Sequence, residues 1–260
     1  MIRFGYADTR FGQVHYAESG DGPPLLCLHQ TPRSWDEYRE LLPLLAPHAR
    51  VIAMDTLGMG RSAPPPDDAS IEVYADGALA LLDALGLDCV DVMGHHTGGV
   101  IAVDLASRFP DRVRRLVLTS TAWVDGAARD RRKSRPAIDH AERQDDGSHL
   151  TTLWARRQQW YPPGRPDVLE RYVHDLIEAR DPEEGHLAVG RYRMEDTIGK
   201  ITAPTMVVGA TADPHAFGEL EPVASRMSSA RTAIVEGGTV GLLEDKATEL
   251  AELVVGFLAD

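Results

Sequence analysis

Short apolar runs alternate with stretches of helical periodicity along the first 121 residues of the chain. Residues 1–18 alternate between apolar and polar positions, which predicts an antiparallel hairpin that turns near Phe11 and Gly12. Further strands are predicted at 25–29, 51–54, 90–93 and 113–119, and helices at 35–45, 71–85 and 98–108. Strands separated by helices pair in parallel through crossovers, so this order predicts an α/β fold with helices on both faces of the sheet.

The alternation of strands and helices is interrupted between residues 122 and 200. That segment is polar and rich in Arg, and its apolar residues follow a helical period. Within 165–180, one predicted helical face carries Val168, Leu169, Tyr172, Val173, Leu176 and Ile177. Strands resume at 204–210 and 231–236, and a closing helix is predicted at 246–258.

This organisation predicts an α/β core formed by residues 1–121 and 201–260, and a helical cap formed by residues 122–200. An insertion that follows the carboxyl end of a strand lies over the crevice in which open α/β sheets bind ligands. We therefore expect the cap to cover a small-molecule site. Its aromatic residues Trp154, Trp160 and Tyr161 are expected either to line an apolar pocket or to form the core of the cap itself.

The net charge of the chain limits the kinds of partner that the protein is expected to bind. The 260 residues carry a formal net charge of −13, which disfavours nucleic acid and anionic membrane surfaces. The chain has neither an apolar leader at its N-terminus nor an apolar run long enough to span a bilayer. We expect a cytoplasmic protein, monomeric or homodimeric, that acts on a small molecule.

The sequence gives no sign of a metal site. Cys27 and Cys89 each fall in a predicted buried strand and lack C-x-x-C spacing, so they are predicted to be small buried apolar side chains. Neither H-x-x-x-H nor H-E-x-x-H spacing supports a metal site among the remaining candidates, which are His29, His96, Asp213 and His215. No metal ion and no other cofactor is therefore expected.

The sequence GHHTGG, residues 94–99, lies between a predicted strand and a predicted helix. This is the setting of a nucleophile elbow, G-x-S-x-G, but His96 stands where the serine is expected. Gly94 and Gly98 flank the central residue at the positions that must be small for a sharp turn. His95 precedes it and is predicted to have a packing role.

Five segments together resemble the α/β-hydrolase superfamily, in its capped branch of haloalkane dehalogenases, epoxide hydrolases and C–C bond hydrolases. HQTPRSW (29–35) resembles H-G-x-P, DTLGMGRS (55–62) resembles D-x-x-G-x-G-x-S, and GHHTGG occupies the elbow. GATADPHAF (209–217) resembles the loop of the catalytic acid, and VEGGTVGLLED (235–245) resembles the loop of the catalytic histidine. The resemblance implies an α/β-hydrolase fold with a mostly parallel eight-stranded sheet flanked by helices and with an inserted helical cap.

The resemblance fails at two of the three catalytic positions. In the order Ser…Asp…His, this chain has His96, Asp213 and Thr239. A serine triad needs a hydroxyl nucleophile and a histidine that deprotonates it, and neither stands at its usual position. The resemblance therefore implies an atypical member that retains only the acid.

An imidazole on the elbow reaches farther than a hydroxyl would, and Thr239 is small enough to leave open the space that a loop histidine fills. We expect Asp213 to reach a ring nitrogen of His96, forming a dyad for general acid–base catalysis of the lyase, isomerase, epimerase or cyclase type. The amides of Thr31 and Thr97 are expected to form the oxyanion or anion hole. Such a site suits a small organic molecule that contains a carbonyl group.

Two alternatives remain open. In the first, the protein is a hydrolase and His96 is itself the nucleophile, through an acyl-imidazole. In the second, the protein binds a small molecule without converting it. Contacts with the substrate are expected from a wider set: His29, Gln30, Arg33, Trp154, Trp160, Tyr161, His215 and Thr239. For Arg33 and His215 the alternative is a position on the solvated surface.

Overall fold

The structure is a computed structural model that describes residues 1–66 and 69–260. Eight strands of the described residues form one sheet, in the order β1-β2-β4-β3-β5-β6-β7-β8. The pairs β1–β2 and β2–β4 are antiparallel and all the other pairs are parallel, as predicted. The strands are β1 Arg3–Thr9, β2 Gly12–Ser19, β3 Pro24–Leu28, β4 Arg50–Met54, β5 Val90–His95, β6 Val113–Thr119, β7 Thr205–Ala210 and β8 Ala230–Val235.

Ten α-helices accompany the sheet within the described ranges. They are α1 Leu41–Leu45, α2 Ile71–Ala84, α3 Thr97–Arg108, α4 Gly126–Lys133, α5 Ser148–Gln158, α6 Pro166–Glu178, α7 Glu184–Arg191, α8 Leu220–Ala224, α9 Leu242–Asp245 and α10 Ala247–Ala259. None of the helices in the part of the chain that the structure describes is both long and apolar enough to cross a membrane.

The side chains of each central strand alternate between two apolar cores. In β3, Leu25 and Cys27 pack into the cluster that contains residues of α1 and α10, whereas Leu26 and Leu28 pack into the cluster of α2 and α3. All four side chains are fully buried. Burying a large aliphatic side chain stabilises a fold by about 1.5–3 kcal/mol, so both faces of β3 hold the sheet between its helices.

Two predictions about local structure are wrong. The helix predicted at 35–45 is divided into a 3-10 turn, Trp35–Tyr38, and the short helix α1. The break falls at Arg39 and Glu40, after the turn in which Asp36 and Glu37 approach the buried guanidinium of Arg33. Cys89 is exposed rather than buried, because β5 begins one residue later and Cys89 lies in the bend that precedes it.

The described residues between β6 and β7 form the helices α4 to α7, together with short 3-10 turns. Helix α6 buries four side chains of its predicted apolar face, Val168, Leu169, Tyr172 and Leu176, but Ile177 remains 41% exposed. These four residues form a small apolar cluster with Leu153, Tyr161 and Val240. The helical segment therefore has its own core, and that core includes Val240 from the loop after β8.

Candidate active site

His96 lies on a sharp turn between β5 and α3, with φ 47° and ψ −113°. A Cβ atom at Gly94 would lie 2.3 Å from the carbonyl oxygen of Gly98, and one at Gly98 would lie 2.0 Å from that of Leu28. Only glycine fits at these two positions. The turn therefore has the geometry of a nucleophile elbow and presents an imidazole in place of a hydroxyl.

The structure brings His96 and Asp213 together. Nε2 of His96 lies 2.8 Å from Oδ2 of Asp213, whose side chain is fully buried in the loop after β7. The two atoms lie within ion-pair distance, but neither of them has a hydrogen bond of good geometry among the described residues. The contact is therefore a close electrostatic pair rather than a well-directed hydrogen bond.

The electrostatics of the pair favour an ionised carboxylate. Burial raises the pKa of Asp213, but its attraction to the imidazolium form of His96 and the backbone amide of His215, which donates to Oδ1 at 3.0 Å, outweigh it. The pKa of Asp213 is consequently held well below its usual range. Nδ1 of His96 makes no hydrogen bond within residues 1–66 and 69–260, and it is the ring nitrogen left for a substrate.

His95 packs behind His96 and uses both of its ring nitrogens. Nδ1 lies 2.9 Å from Oγ1 of Thr119, Nε2 lies 3.2 Å from the carbonyl oxygen of Val240, and the ring meets the His96 ring edge-on at 4.6 Å. Burial, and then the charge of His96, lower the pKa of His95 to about 3. The buried ring is thus neutral and has the packing role that was predicted.

The amides of Thr31 and Thr97 remain available as hydrogen-bond donors. Neither donates to another described residue, and Thr97 is the first residue of the twelve-residue helix α3. The loop of Thr31 is fixed from behind, because Glu37 accepts hydrogen bonds from the backbone amide of Gln30 at 2.8 Å and from its side-chain amide. A helix N-terminus and a rigid loop with a free amide are typical of an oxyanion hole.

His29 supports this loop and does not reach the cavity. Its Nδ1 lies 2.7 Å from the carbonyl oxygen of Gln30, and its Nε2 accepts a hydrogen bond from the backbone amide of Thr56 at 2.9 Å. Burial lowers the pKa of His29, which fits a neutral ring with one donating and one accepting nitrogen. The predicted contact between His29 and the substrate is wrong because both nitrogens are already occupied.

A cavity of about 340 Å³ opens in front of the elbow. Five of the predicted site residues line it: Gln30, Thr31, His96, Thr97 and His215. Asp213 lies behind His96, outside the lining. Val240, from the loop after β8, and Val100, from α3, supply part of the apolar wall. The core contribution to the site is therefore close to the one predicted from the sequence.

Arg33 is fully buried and is neither a substrate contact nor a solvated side chain. Its Nε donates to Asp175 at 2.7 Å and its Nη1 to Glu244 at 2.6 Å. Both expectations for Arg33 are wrong because the acidic residues of three separate segments enclose its guanidinium.

Three aromatic residues that were predicted for the cavity, Trp154, Trp160 and Tyr161, do not line it. Tyr161 lies in the apolar cluster of that segment, and Trp154 and Trp160 pack against the cluster while partly buried. Trp160 still contributes indirectly, since its ring meets the ring of His215 edge-on at 4.6 Å. Thr239 is half-buried and accepts a hydrogen bond from the amide of Gly241. It does not line the cavity, whereas the next residue, Val240, does.

The cavity wall formed by the helical segment is basic, a feature that was not predicted from the sequence. Its charged lining residues are Arg132, Arg135, Arg157, Glu183 and His186. Within the described ranges, Arg132 and Arg135 form no ion pair with a carboxylate, and burial together with the charge of Arg135 lowers the pKa of Arg132. The only available signal was the high Arg content of the segment, which does not show which side chains face inward.

No group of three or more His, Cys, Asp or Glu side chains within residues 1–66 and 69–260 is arranged to hold a metal ion. The candidate chemistry is therefore argued from His96, Asp213 and the donor amides.

Comparison with known proteins places the chain in a family. Residues 23–218 match the alpha/beta hydrolase fold family. The chain is 43% identical over 111 residues to a 2-hydroxymuconate semialdehyde hydrolase of Pseudomonas sp. (strain CF600), covering 41% of this chain and 39% of that protein. It is 39% identical over 106 residues to a soluble epoxide hydrolase of Corynebacterium sp. (strain C12), covering 41% and 37%. The chain thus spans less than half the length of these curated relatives.

The fold is also similar to solved structures over its full length. A hydrolase from Pseudomonas aeruginosa PA01 superposes with a TM-score of 0.82 at 25% identity, over 99% of both chains. The chain belongs to the alpha/beta hydrolase fold family.

Proposed function

We propose that this protein is an acid–base enzyme in which His96, paired with Asp213, takes a proton from the carbon atom adjacent to a carbonyl group. The observation that carries the proposal is the position of the imidazole. His96 occupies the place of the nucleophile and lines the cavity, Asp213 lies 2.8 Å from its Nε2, and its Nδ1 has no hydrogen-bond partner among the described residues. The proposal invokes no cofactor, since the chain supplies the proton-transfer groups.

The proposed reaction begins with a substrate carbonyl oxygen at the amides of Thr31 and Thr97. Nδ1 of His96 takes a proton from the carbon next to the carbonyl, and the electrons of the C–H bond move into the carbonyl to give an enolate. Asp213 stabilises the imidazolium that forms. The two amides stabilise the enolate oxygen. Return of the proton to another atom, or expulsion of a leaving group, gives isomerisation or elimination.

The lining of the cavity favours a substrate that also carries negative charge. Arg132 and Arg135 approach the cavity without carboxylate partners in the described chain, and Glu183 is the acidic residue of the lining. Guanidinium groups bind carboxylates through two parallel hydrogen bonds. A 2-oxo acid combines the carbonyl group and the carboxylate in one small molecule, so it is the substrate class to test first.

Hydrolysis is the second candidate function, and the names of the relatives favour it. The two curated relatives described above are named as hydrolases. In this alternative Nδ1 of His96 attacks the carbonyl carbon of an ester, and the C–O bond to the alcohol breaks so that the alcohol leaves with a proton taken from solvent. Water then cleaves the acyl-imidazole to the carboxylic acid and the free imidazole. An unreactive binding protein with the same cavity is the third outcome.

The experiment uses (S)-3-methyl-2-oxopentanoate in D2O, with deuterium incorporation at C3 measured by proton NMR. We expect the protein to accelerate this exchange, and we expect His96→Ala and Asp213→Asn each to reduce the enzymatic rate by about 100-fold or more. His174→Gln is the matched control, since His174 is an exposed histidine on α6. It should leave the rate unchanged.

A panel of 4-nitrophenyl esters separates the alternatives. Ester cleavage that depends on His96, without deuterium exchange, would support the hydrolase. Binding of the oxo acid in a calorimeter, without exchange or ester cleavage, would support the binding protein.

A further inference from the structure

A second histidine–aspartate pair faces the same cavity from the helical segment. His186 lies on α7 and lines the cavity, and its side chain is 31% exposed. Its Nε2 lies 2.7 Å from Oδ2 of Asp139, whose side chain is fully buried. Nδ1 of His186 makes no hydrogen bond within the described chain, so this nitrogen is free to meet a bound molecule.

Asp139 is held in a fixed position by its other partners. Its carboxylate accepts hydrogen bonds from Nε of Arg157 at 2.8 Å, from Nη2 of the same residue, and from the hydroxyl of Tyr172 at 2.7 Å. Burial raises the pKa of Asp139, but the hydrogen bond with His186 and the charge of Arg157 hold it below its ordinary value. An ionised, immobile carboxylate fixes the tautomer and the orientation of His186.

The backbone beside His186 touches the predicted oxyanion loop. A Cβ atom on Gly185 would lie 2.1 Å from Oγ1 of Thr31, so α7 approaches that loop as closely as only glycine allows. His186 is the next residue along the helix. Thr31 and His186 both line the cavity, so the second imidazole shares that cavity with the loop whose amide is proposed to hold the carbonyl oxygen.

We propose that His186 is a second acid–base residue, so that the site transfers protons between two faces of its substrate. This inference rests on the function proposed above. His96 removes the proton at C3 of a 2-oxo acid, and the C–H electrons form the enolate. The imidazolium of His186 then delivers the proton on its Nδ1 to the opposite face of C3, and the enolate electrons form the new C–H bond.

The proton balance of this sequence closes within the site. His96 gains one proton and His186 loses one, while Nε2 of His186 keeps its hydrogen toward Asp139. Exchange with solvent restores both rings. The product has the opposite configuration at C3, which a single base on one face does not produce directly.

Racemisation of (S)-3-methyl-2-oxopentanoate in D2O tests the inference. Chiral chromatography separates the two enantiomers, and mass spectrometry measures the deuterium content of each. With the wild-type protein, we expect early deuterium in the (R) product and little in the recovered (S) form. His186→Gln should lower racemisation about 100-fold more than it lowers deuterium exchange at C3, and added imidazole should restore part of the loss. His174→Gln should keep the wild-type ratio of the two rates.

Three results would overturn the inference. The first is a His186→Gln protein that thermal unfolding shows to be folded and that keeps the wild-type ratio of racemisation to exchange. The second, which needs no variant, is wild-type protein in which deuterium enters the recovered (S) form as early as the (R) product. In both cases His96-dependent exchange would survive, and with it the proposed function. The third is the absence of any exchange, which would remove both.

Discussion

Nε of Arg33 donates a hydrogen bond to Oδ2 of Asp175 at 2.7 Å, with both side chains buried. Arg33 lies in the loop after β3 and Asp175 lies on α6, so the ion pair joins the core to the helical segment. Nη1 of the same guanidinium donates to Glu244 at the start of the chain's last helices. One buried cation therefore connects three segments that are far apart in the sequence, next to the proposed oxyanion loop.

Replacing Arg33 should destabilise the protein strongly. Arg33→Met leaves the buried carboxylates of Asp175 and Glu244 without their cation, and breaking a buried ion pair in this way costs about 3–5 kcal/mol. Urea unfolding measures the loss. The matched control is Arg165→Met, which removes an exposed ion pair with Asp167 at 2.9 Å and should cost less than about 1 kcal/mol. Equal losses for the two variants would contradict the prediction.

At the elbow, glycine and alanine substitutions should differ in stability in the opposite direction from the usual one. His96 has a positive φ of 47°, a conformation that strains any residue with a Cβ atom and that glycine adopts freely. Both His96→Gly and His96→Ala remove the ring, but only the glycine variant removes the strain. We expect His96→Gly to be more stable than His96→Ala by about 1 kcal/mol in urea unfolding, whereas glycine is the less stable of the two in ordinary helix positions.

The comparison has a control in the last helix, α10. At Gly256 in α10 the φ is not positive and a Cβ atom would meet nothing within 4 Å. Gly256→Ala should therefore stabilise the protein by about 0.5–1 kcal/mol. If alanine were also the better residue at position 96, the elbow would be unstrained.

Asp104 should give the free energy of unfolding a specific pH dependence. Burial raises the pKa of Asp104 to about 6, although Arg108 and the Tyr192 hydroxyl favour its charged form. The folded protein then binds a proton that the unfolded chain has already lost, so this contribution to stability falls as the pH rises from about 4 to about 6. A raised pKa of roughly 2 units corresponds to about 3 kcal/mol.

Asp104→Asn removes this titration and keeps an acceptor for Tyr192. The difference in free energy of unfolding between variant and wild type should shift in favour of the variant across the same pH window. All other titrating groups are shared and cancel in that difference. Unfolding curves at pH 4, 5, 6 and 7 provide the measurement, and a difference that is constant with pH would show that Asp104 titrates normally.

The two cysteines should react with thiol reagents very differently. Cys27 is fully buried in β3, where burial raises the pKa of its thiol far above the usual range, and Cys89 is exposed before β5. The thiolate is the reactive form. Ellman's reagent should modify about one thiol per native chain and both in denaturant. Cys89→Ser should abolish the fast reaction, and a native protein with two fast thiols would contradict the structure.

The sequence contained enough information to predict the core of the site. His96 and Asp213 follow β5 and β7, and the carboxyl ends of parallel strands meet at one edge of a sheet. The glycines at 94 and 98 specify the turn through sterics alone, because the close approach of backbone atoms there excludes any side chain. The turn of the elbow is therefore a local consequence of the residues that form it, whereas the meeting of His96 and Asp213 follows from the parallel arrangement of the strands.

Tertiary packing selects which side chains of the helical segment face the core. A helical period shows that a face is apolar, but a basic helix can turn its arginines either to solvent or to a cavity. The cavity positions of Arg132 and His186, the buried position of Arg33, and the exclusion of Trp160 from the cavity all depend on how α4 to α7 pack against β-strand loops. Local sequence patterns were sufficient to predict an α/β-hydrolase core with an imidazole on its elbow. Long-range packing and the pairing of buried charges decided the rest of the site, because those interactions join residues that no local pattern connects.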